Sequence, residues 1–206
     1  MSVMSNVEAR FCRSAPWRGF ARRVVLPWAT RDVSLTGRVL EIGGGSGAMA
    51  FELLRREPNI HLTLADLDPM MVTAAQARLR PFAERASAVQ GDATALDLPD
   101  DSFDTVCTWL MLHHTIQWQS VLAEARRVLR PGGSIVGYDL TDSAAARMIH
   151  RVDGSEHRLI QPGELETELK SQEFEAPRVI SGLGGLVVKF AATTGCRSSS
   201  RNPATC

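Results

Sequence analysis

The sequence predicts an α/β protein: a doubly wound, mostly parallel sheet of seven strands that ends in an antiparallel hairpin, with helices on both faces. Three observations carry this. Short apolar runs alternate with amphipathic segments from about residue 38 to 172. A glycine cluster, Gly43-Gly44-Gly45-Ser46-Gly47, follows the first apolar run. Two β-rich runs joined by glycines close the pattern. Alternation of this kind gives a parallel sheet, because each right-handed crossover lays its helix against the strands. Ligands of such sheets bind at the carboxyl ends of the strands.

Each element has its own signal. Residues 14–29 predict a helix with Phe20, Val24 and Trp28 on one face and Ala21 and Val25 beside them. Ser14 is placed to cap it, and Pro16 is tolerated in its first turn. RVLEIG (38–43) is the first strand. AMAFELLRREP (48–58) is a helix with Ala50, Leu53 and Leu54 inward and a Glu52/Arg56 pair outward. HLTLAD (61–66) is the second strand, and Asp68-Pro69 supplies an N-cap and a first-turn proline for a helix over 69–80. ASAVQGD (86–92) and FDTVCTWL (103–110) are the third and fourth strands. Trp118, Val121, Leu122, Ala125, Val128 and Leu129 mark a helix stopped by Pro131-Gly132-Gly133, and SIVGYDL (134–140) is the fifth strand. A polar connector, 142–160, leads to a helix near 162–172; APRVISG and GLVVKFAATT form the hairpin. The tail GCRSSSRNPATC reads as disordered.

Composition narrows the function classes. Twenty-three basic and 23 acidic residues cancel, so no bulk field recruits nucleic acid or an anionic membrane. Six arginines (10, 13, 18, 22, 23, 31) against Glu8 make residues 1–31 locally basic, as a solvated helix face or a surface-binding arm. Cysteines 12, 107, 196 and 206 show no CxxC spacing and read as free thiols of a reducing compartment. With no apolar leader and no apolar run long enough to span a bilayer, the expected location is cytoplasmic, without stable membrane insertion.

The strand ends hold the chemistry. Glycines are needed where a strand turns tightly into a helix and a ligand must approach the backbone. Here the spacing fits both GxGxG (Gly43, Gly45, Gly47) and the dinucleotide form GxGxxG/A (Gly43, Gly45, Ala48). A hydrolase elbow around Ser46 fails, because Ala48 stands where glycine is required. Asp66 ends the second strand and can accept from a ribose diol, helix capping being filled by Asp68. Asp92, near the end of the third, can accept from an exocyclic amine or serve its own turn.

The succession EIGGGSG, AD, QGDATALDLPDDSFDTV, EARRVLRPGG and SIVGYD resembles class I S-adenosylmethionine-dependent methyltransferases. The likeness is to the small-molecule group that includes the ubiquinone/menaquinone-type and methyltransferase type 11-like enzymes. It covers about residues 36–194 and implies a Rossmann-like fold with S-adenosyl-L-methionine as cofactor. It further implies an N-terminal helical segment (1–35) over the substrate side, a cofactor-binding domain (36–194) and a tail (195–206). By this resemblance Gly43, Gly45 and Gly47 pass under the methionine part and Glu41 braces the loop. Asp66 holds the ribose, Leu67 packs on adenine, Asp92 takes the adenine amine and Ala93 borders the ring. Thr108 and Trp109 lie near the methionine moiety.

Methyl transfer needs an acceptor aligned with the S–CH₃ axis and, for an oxygen acceptor, removal of a proton. His113 and His114, after the fourth strand, are candidates for that base or for a pocket wall; adjacent residues point apart, so one of them faces the acceptor. His61 lies at the far end of the sheet, and His150 and His157 lack the spacing and carboxylates of a metal site, so no metal is expected. Trp17, Phe20, Trp28, Tyr138 and Asp139 are pocket candidates for a small, apolar or aromatic acceptor. The expected partner is that small molecule, not nucleic acid, and the chain is expected to be a monomer or homodimer. Two other readings remain open at this stage: a noncatalytic S-adenosylmethionine-binding regulator, and an NAD-dependent oxidoreductase. RNA methylation is disfavoured by the neutral charge and the lack of an NPPY-like tetrad.

Overall fold

The computed structural model describes residues 19–31, 33–153 and 157–196. Among them, β1 (Arg38–Ile42), β2 (His61–Asp66), β3 (Ala86–Gln90), β4 (Phe103–Trp109), β5 (Leu129–Leu140), β6 (Phe174–Gly182) and β7 (Val187–Thr194) form one sheet in the order β3-β2-β1-β4-β5-β7-β6. The first five strands run parallel, while β7 is antiparallel to both β5 and β6. This is the predicted doubly wound sheet with its terminal hairpin. The order reverses between β1 and β4, and the register Ala65↔Ile42↔Thr108 sets three strand ends side by side at that switch point.

Helices cover both faces. A π-helical turn (Ala21–Val25) runs into α1 (Leu26–Ala29), which with α2 (Ala48–Arg56) and α3 (Pro69–Leu79) buries Leu26, Leu53, Leu54 and Val72 against Val39, Leu62, Leu64 and Val136. On the other face, α4 (Trp118–Val128) and α6 (Glu164–Ser171) pack Trp118, Leu122, Leu165 and Leu169 against Leu40, Val106, Ile135 and Phe190. Asp68 caps α3 as expected, accepting from the Met70 amide at 2.8 Å.

Four details depart from the sequence expectations. In the first helix the buried set is Val25, Leu26 and Ala29, while Phe20 and Val24 are 48% and 51% exposed. The π turn adds a residue per turn and so rotates the following face relative to an α-helical stripe; Ser14 and Pro16 lie outside the described residues. Glu52 pairs with Arg55 at 3.3 Å, and Arg56 instead donates to the Arg22 carbonyl. Helix α4 ends at Val128. Leu129 already pairs with Phe103, and Pro131-Gly132-Gly133 make a bulge inside β5 before Ser134 meets Thr105. The connector 142–160 contains α5 (Ala144–Asp153). Ser143 accepts from the Ala146 amide at 3.2 Å there, a cap ahead of three alanines.

Cys107 is a buried free thiol, whereas Cys196 is disulfide-bonded, which corrects the free-thiol expectation at that position. Among the described residues no helix is long and apolar enough to cross a membrane. The predicted tail from residue 197 onward lies outside the described residues.

Candidate functional site

The glycine loop is held open by backbone conformation and by one carboxylate. Gly43, Gly45 and Gly47 have φ of +66°, +53° and +75°, a region that L side chains enter at a cost. A Cβ on Gly43 would sit 2.8 Å from Cβ of Met111, so the chain after β4 closes directly on the loop. A Cβ on Gly45 would meet nothing within 4 Å, which leaves the loop's crest open to a ligand. Asp66 fixes that crest: its Oδ2 accepts from the Gly45 amide at 2.7 Å and its Oδ1 from the Asp68 amide at 3.0 Å. A carboxylate has about four acceptor positions, so these two bonds leave capacity for a diol. Burial lifts the Asp66 carboxyl above its usual range, against the opposing pull of those amides and of the Leu67 amide.

Glu41 lies beneath the loop, 1% exposed, and its Oε2 has no hydrogen-bond partner among the described residues. Burial, with the charge of Asp66 second, pushes its carboxyl up to about 8. An unsatisfied buried carboxyl oxygen under an open glycine crest suits a ligand that brings positive charge and donors. The residues present therefore fit a cationic amino-acid-bearing cofactor.

The third strand's end is built around its own turn. Asp92 Oδ1 accepts from the Thr94 amide at 2.8 Å and its hydroxyl at 2.7 Å, which holds the carboxyl below its usual range. Both bonds fall on Oδ1 and leave Oδ2 to accept from a ligand. Ala93 is buried, Leu67 is half-buried, and the Leu67 carbonyl accepts from Gln90. Arg127, from α4, braces the next segment with bonds to the Leu96 and Leu98 carbonyls and a fork onto Glu124. Sequence reasoning missed Arg127, although EARRVL contains it; an arginine on a helix's polar side reads as solvated.

At the end of β4, strand alternation separates the expected residues. Thr108 is buried on the α4 face, its hydroxyl against the Cα side of Gly137 and near Phe190, with no hydrogen-bond partner among the described residues. Trp109 points to the α1 face, where its ring lies 5.7 Å from that of Tyr138; Trp28 meets Tyr138 edge-on at 5.9 Å. The Trp109 Nε1 is buried without a hydrogen-bond partner among the described residues. Lys189 extends over Trp28 and donates to its carbonyl at 3.2 Å. Trp28, not the exposed Phe20, thus supplies the aromatic side of this wall, and Trp17 lies outside the described residues. Leu110, with φ of +52°, makes the turn that directs Met111 onto Gly43.

On the α4 face, Asp139 is fully buried and spends its oxygens locally rather than lining an open pocket. Oδ2 accepts from the Leu112 amide at 2.7 Å; Oδ1 accepts from the Leu140 amide at 2.7 Å and from Nδ1 of His113. His113 is 2% exposed, and Asp139 assigns it the Nδ1–H tautomer, which puts the basic lone pair on Nε2. His114 is half-buried, its ring 4.0 Å from that of His113. His150, from α5, stands 5.1 Å from His113 and stacks on His157 at 4.0 Å. The structure therefore gathers four histidines. Among the described residues, however, no group of His, Cys, Asp or Glu has an arrangement that could hold a metal ion.

Comparison with known proteins places this geometry. A methyltransferase domain family matches residues 39–133. The ubiquinone/menaquinone biosynthesis C-methyltransferase of Paracoccus denitrificans is 38% identical over 100 residues, 48% of this chain and 40% of that protein. Its counterpart in Methylobacterium nodulans is 35% identical over 119 residues, 57% and 46% respectively. The match thus spans less than half the length of these relatives. A possible histamine N-methyltransferase structure from Thermotoga maritima superposes with a TM-score of 0.73 at 22% identity, over 92% of this chain and 95% of that one. The Haemonchus contortus phosphoethanolamine N-methyltransferase 2, solved with phosphomonomethylethanolamine and S-adenosylhomocysteine, gives 0.74 at 14% identity, over 95% and 61%. At these identities the structural likeness is one of fold.

Proposed function

We propose, from the premise that residues 39–133 are a class I S-adenosylmethionine-dependent methyltransferase domain, that this chain transfers a methyl group to an O, N or C atom of a small, apolar or aromatic acceptor. One observation carries the reading. The glycine crest at Gly45 is open, pinned by Asp66, and underlain by a buried, unsatisfied carboxyl from Glu41. When bound, the cofactor supplies an electrophilic methyl on a sulfonium.

The chain's residues do the rest. Gly43, Gly45 and Gly47 let the backbone approach the methionine part without a side chain in between. Asp66 accepts from the ribose with its remaining lone pairs, and Asp92 from the adenine amine with Oδ2, while Leu67 and Ala93 border the ring. Glu41 offsets positive charge from below. Trp109, Tyr138 and Trp28 form an apolar wall for the acceptor and exclude water, which is the protein's main contribution to an in-line displacement. His113 takes a proton from an acidic acceptor atom at Nε2, and Asp139 stabilises the resulting imidazolium through Nδ1–H. Thr108, buried on β4 against Gly137 and Phe190, acts by packing.

Calorimetry with S-adenosylmethionine, S-adenosylhomocysteine and NAD tests the reading. Binding of the first two and not the third is expected; no binding by either, in protein shown to be folded, would overturn it. Once an acceptor is identified, His113→Ala and His114→Ala separate the base from its neighbour. Wild-type turnover with an unchanged pH profile in His113→Ala would remove His113 from the mechanism.

A further inference from the structure

Glu41 does something that loop bracing does not explain. A buried carboxyl with a bracing role donates or accepts on both oxygens, yet its Oε2 has no hydrogen-bond partner among the described residues. The group lies beneath Gly44, the residue before the crest: a Cβ there would fall 3.0 Å from its Oε1. The ionisable groups that face it are Asp66 from β2 and the Cys107 thiol from β4, both of which a second negative charge would disfavour. Helix α3 sends Arg78 to the same loop, where its guanidinium donates to the carbonyl and hydroxyl of Ser46 at 2.6 and 2.8 Å. Two neighbouring carboxyls, Glu41 buried and Asp66 half-buried, with no cation set between them among the described residues, cannot both be ionised at low cost.

We propose that Glu41 is a charge-sensitive selector in the cofactor pocket. It keeps its proton while the pocket lacks a cation and releases it when a cationic ligand occupies the loop. Affinity for S-adenosylmethionine therefore rises with pH more steeply than affinity for S-adenosylhomocysteine. The proposal rests on the cofactor reading above. The two ligands share an ammonium and a carboxylate, and only the first adds a sulfonium. On binding, the O–H bond of the Glu41 carboxyl breaks heterolytically, the electron pair stays on oxygen, and the proton passes to the buffer. After transfer the sulfonium charge is gone, Glu41 regains a proton, and affinity for the product depends less on pH than affinity for the reactant. Burial and Asp66 hold the empty-site carboxyl at about 8, so near pH 6.5 it is protonated in roughly nineteen molecules of twenty or more.

The test is titration calorimetry of the wild-type protein near pH 6.5 in two buffers of different ionisation enthalpy. Release approaching one proton per bound S-adenosylmethionine is expected, with clearly less for S-adenosylhomocysteine. Between about pH 6.5 and 8 the first ligand's Kd falls by up to about tenfold per pH unit and the second's falls less. In Glu41→Gln the proton release and the pH dependence of the affinity ratio vanish. Should that variant not fold, infrared difference spectra of the wild type serve instead: S-adenosylmethionine removes a protonated-carboxyl band that S-adenosylhomocysteine leaves. Binding of both ligands with equal proton counts and equal pH slopes overturns the selector and leaves the cofactor reading standing. Failure of both ligands to bind folded protein overturns the cofactor reading, and the selector with it.

Discussion

Alanine at Gly45 and at Gly43 should separate cofactor binding from folding, because the two positions share a backbone conformation and differ in what surrounds them. Both have positive φ, +53° and +66°, and an alanine held there costs about 1–2 kcal/mol. At Gly45 that is the whole cost, since the added methyl meets nothing within 4 Å. For a chain of this length about 1 kcal/mol lowers Tm by about 2–4 °C. At Gly43 the methyl lands 2.8 Å from Cβ of Met111 and 3.0 Å from its Cγ and Cε. The Cβ cannot swing aside as the tip of the side chain can, so about 1–3 kcal/mol of overpacking is added. Gly43→Ala should therefore lower Tm by two to three times as much. The order reverses for the ligand. The Gly45 methyl projects into the open space that the proposed function assigns to the methionine part, and a loss of at least about 1.4 kcal/mol, tenfold in Kd, is expected. Thermal melts with and without S-adenosylmethionine, paired with calorimetric Kd values, read both effects. A Gly45→Ala protein that binds with wild-type affinity would refute the assignment of this loop as the cradle.

Three further outcomes follow from buried groups. The Glu41 carboxyl ionises near its ordinary 4.5 in the unfolded chain and near 8 in the folded one. The unfolded state therefore loses its proton first, and stability falls as pH rises through that window, by up to about 4–5 kcal/mol. Urea titrations should show this decline in the wild type and a flatter profile in Glu41→Gln, which becomes the more stable protein at pH 8; parallel profiles would contradict it. Asp139→Ala strips partners from His113 and from the Leu112 and Leu140 amides together and should cost about 3–5 kcal/mol. Asp139→Asn should cost less, with loss of the His113 Nδ1–H signal in nitrogen-15 spectra as its specific mark. Burial, with Glu41 second, raises the Cys107 thiol well above its usual range, so peptide mapping after alkylation at pH 8 should find Cys107 unmodified in native protein and modified in urea.

The sheet was legible because each strand has a local signal and the crossover rule leaves few ways to connect them. The glycine loop and the acids at strand ends were legible for the same reason: position on a strand fixes position on the sheet's edge. What sequence could not supply was contact across elements. The pairing of His113 with Asp139 joins residues 26 apart in sequence, and no periodicity links the end of β4 to the end of β5. The π turn at Ala21–Val25 was hidden because a stripe at i, i+4 and i+8 looks helical whichever residues tertiary packing selects. Helix α5 was the exception. Ser143 ahead of three alanines, with Met148, Ile149 and Val152 following, is a readable helix start.

Alternation then explains why the site divides as it does. On β4, Cys107 and Trp109 face α1 while Val106 and Thr108 face α4; on β5, Val136 and Tyr138 face α1 while Ile135 and Asp139 face α4. Glu41 shares the first face with Cys107, its register partner. The Glu41 carboxyl and the aromatic wall thus belong to one side of the sheet, and the Asp139–His113 pair to the other. The two sides come together where β4 and β5 end, at the turn through Leu110 and Met111. That turn closes on Gly43, and the Leu110 amide donates to the Tyr138 carbonyl at 2.9 Å. The positive φ of Leu110 is thus a local cost at the turn that brings the glycine loop, the Trp109–Tyr138 wall and the Asp139–His113 pair to adjoining strand ends.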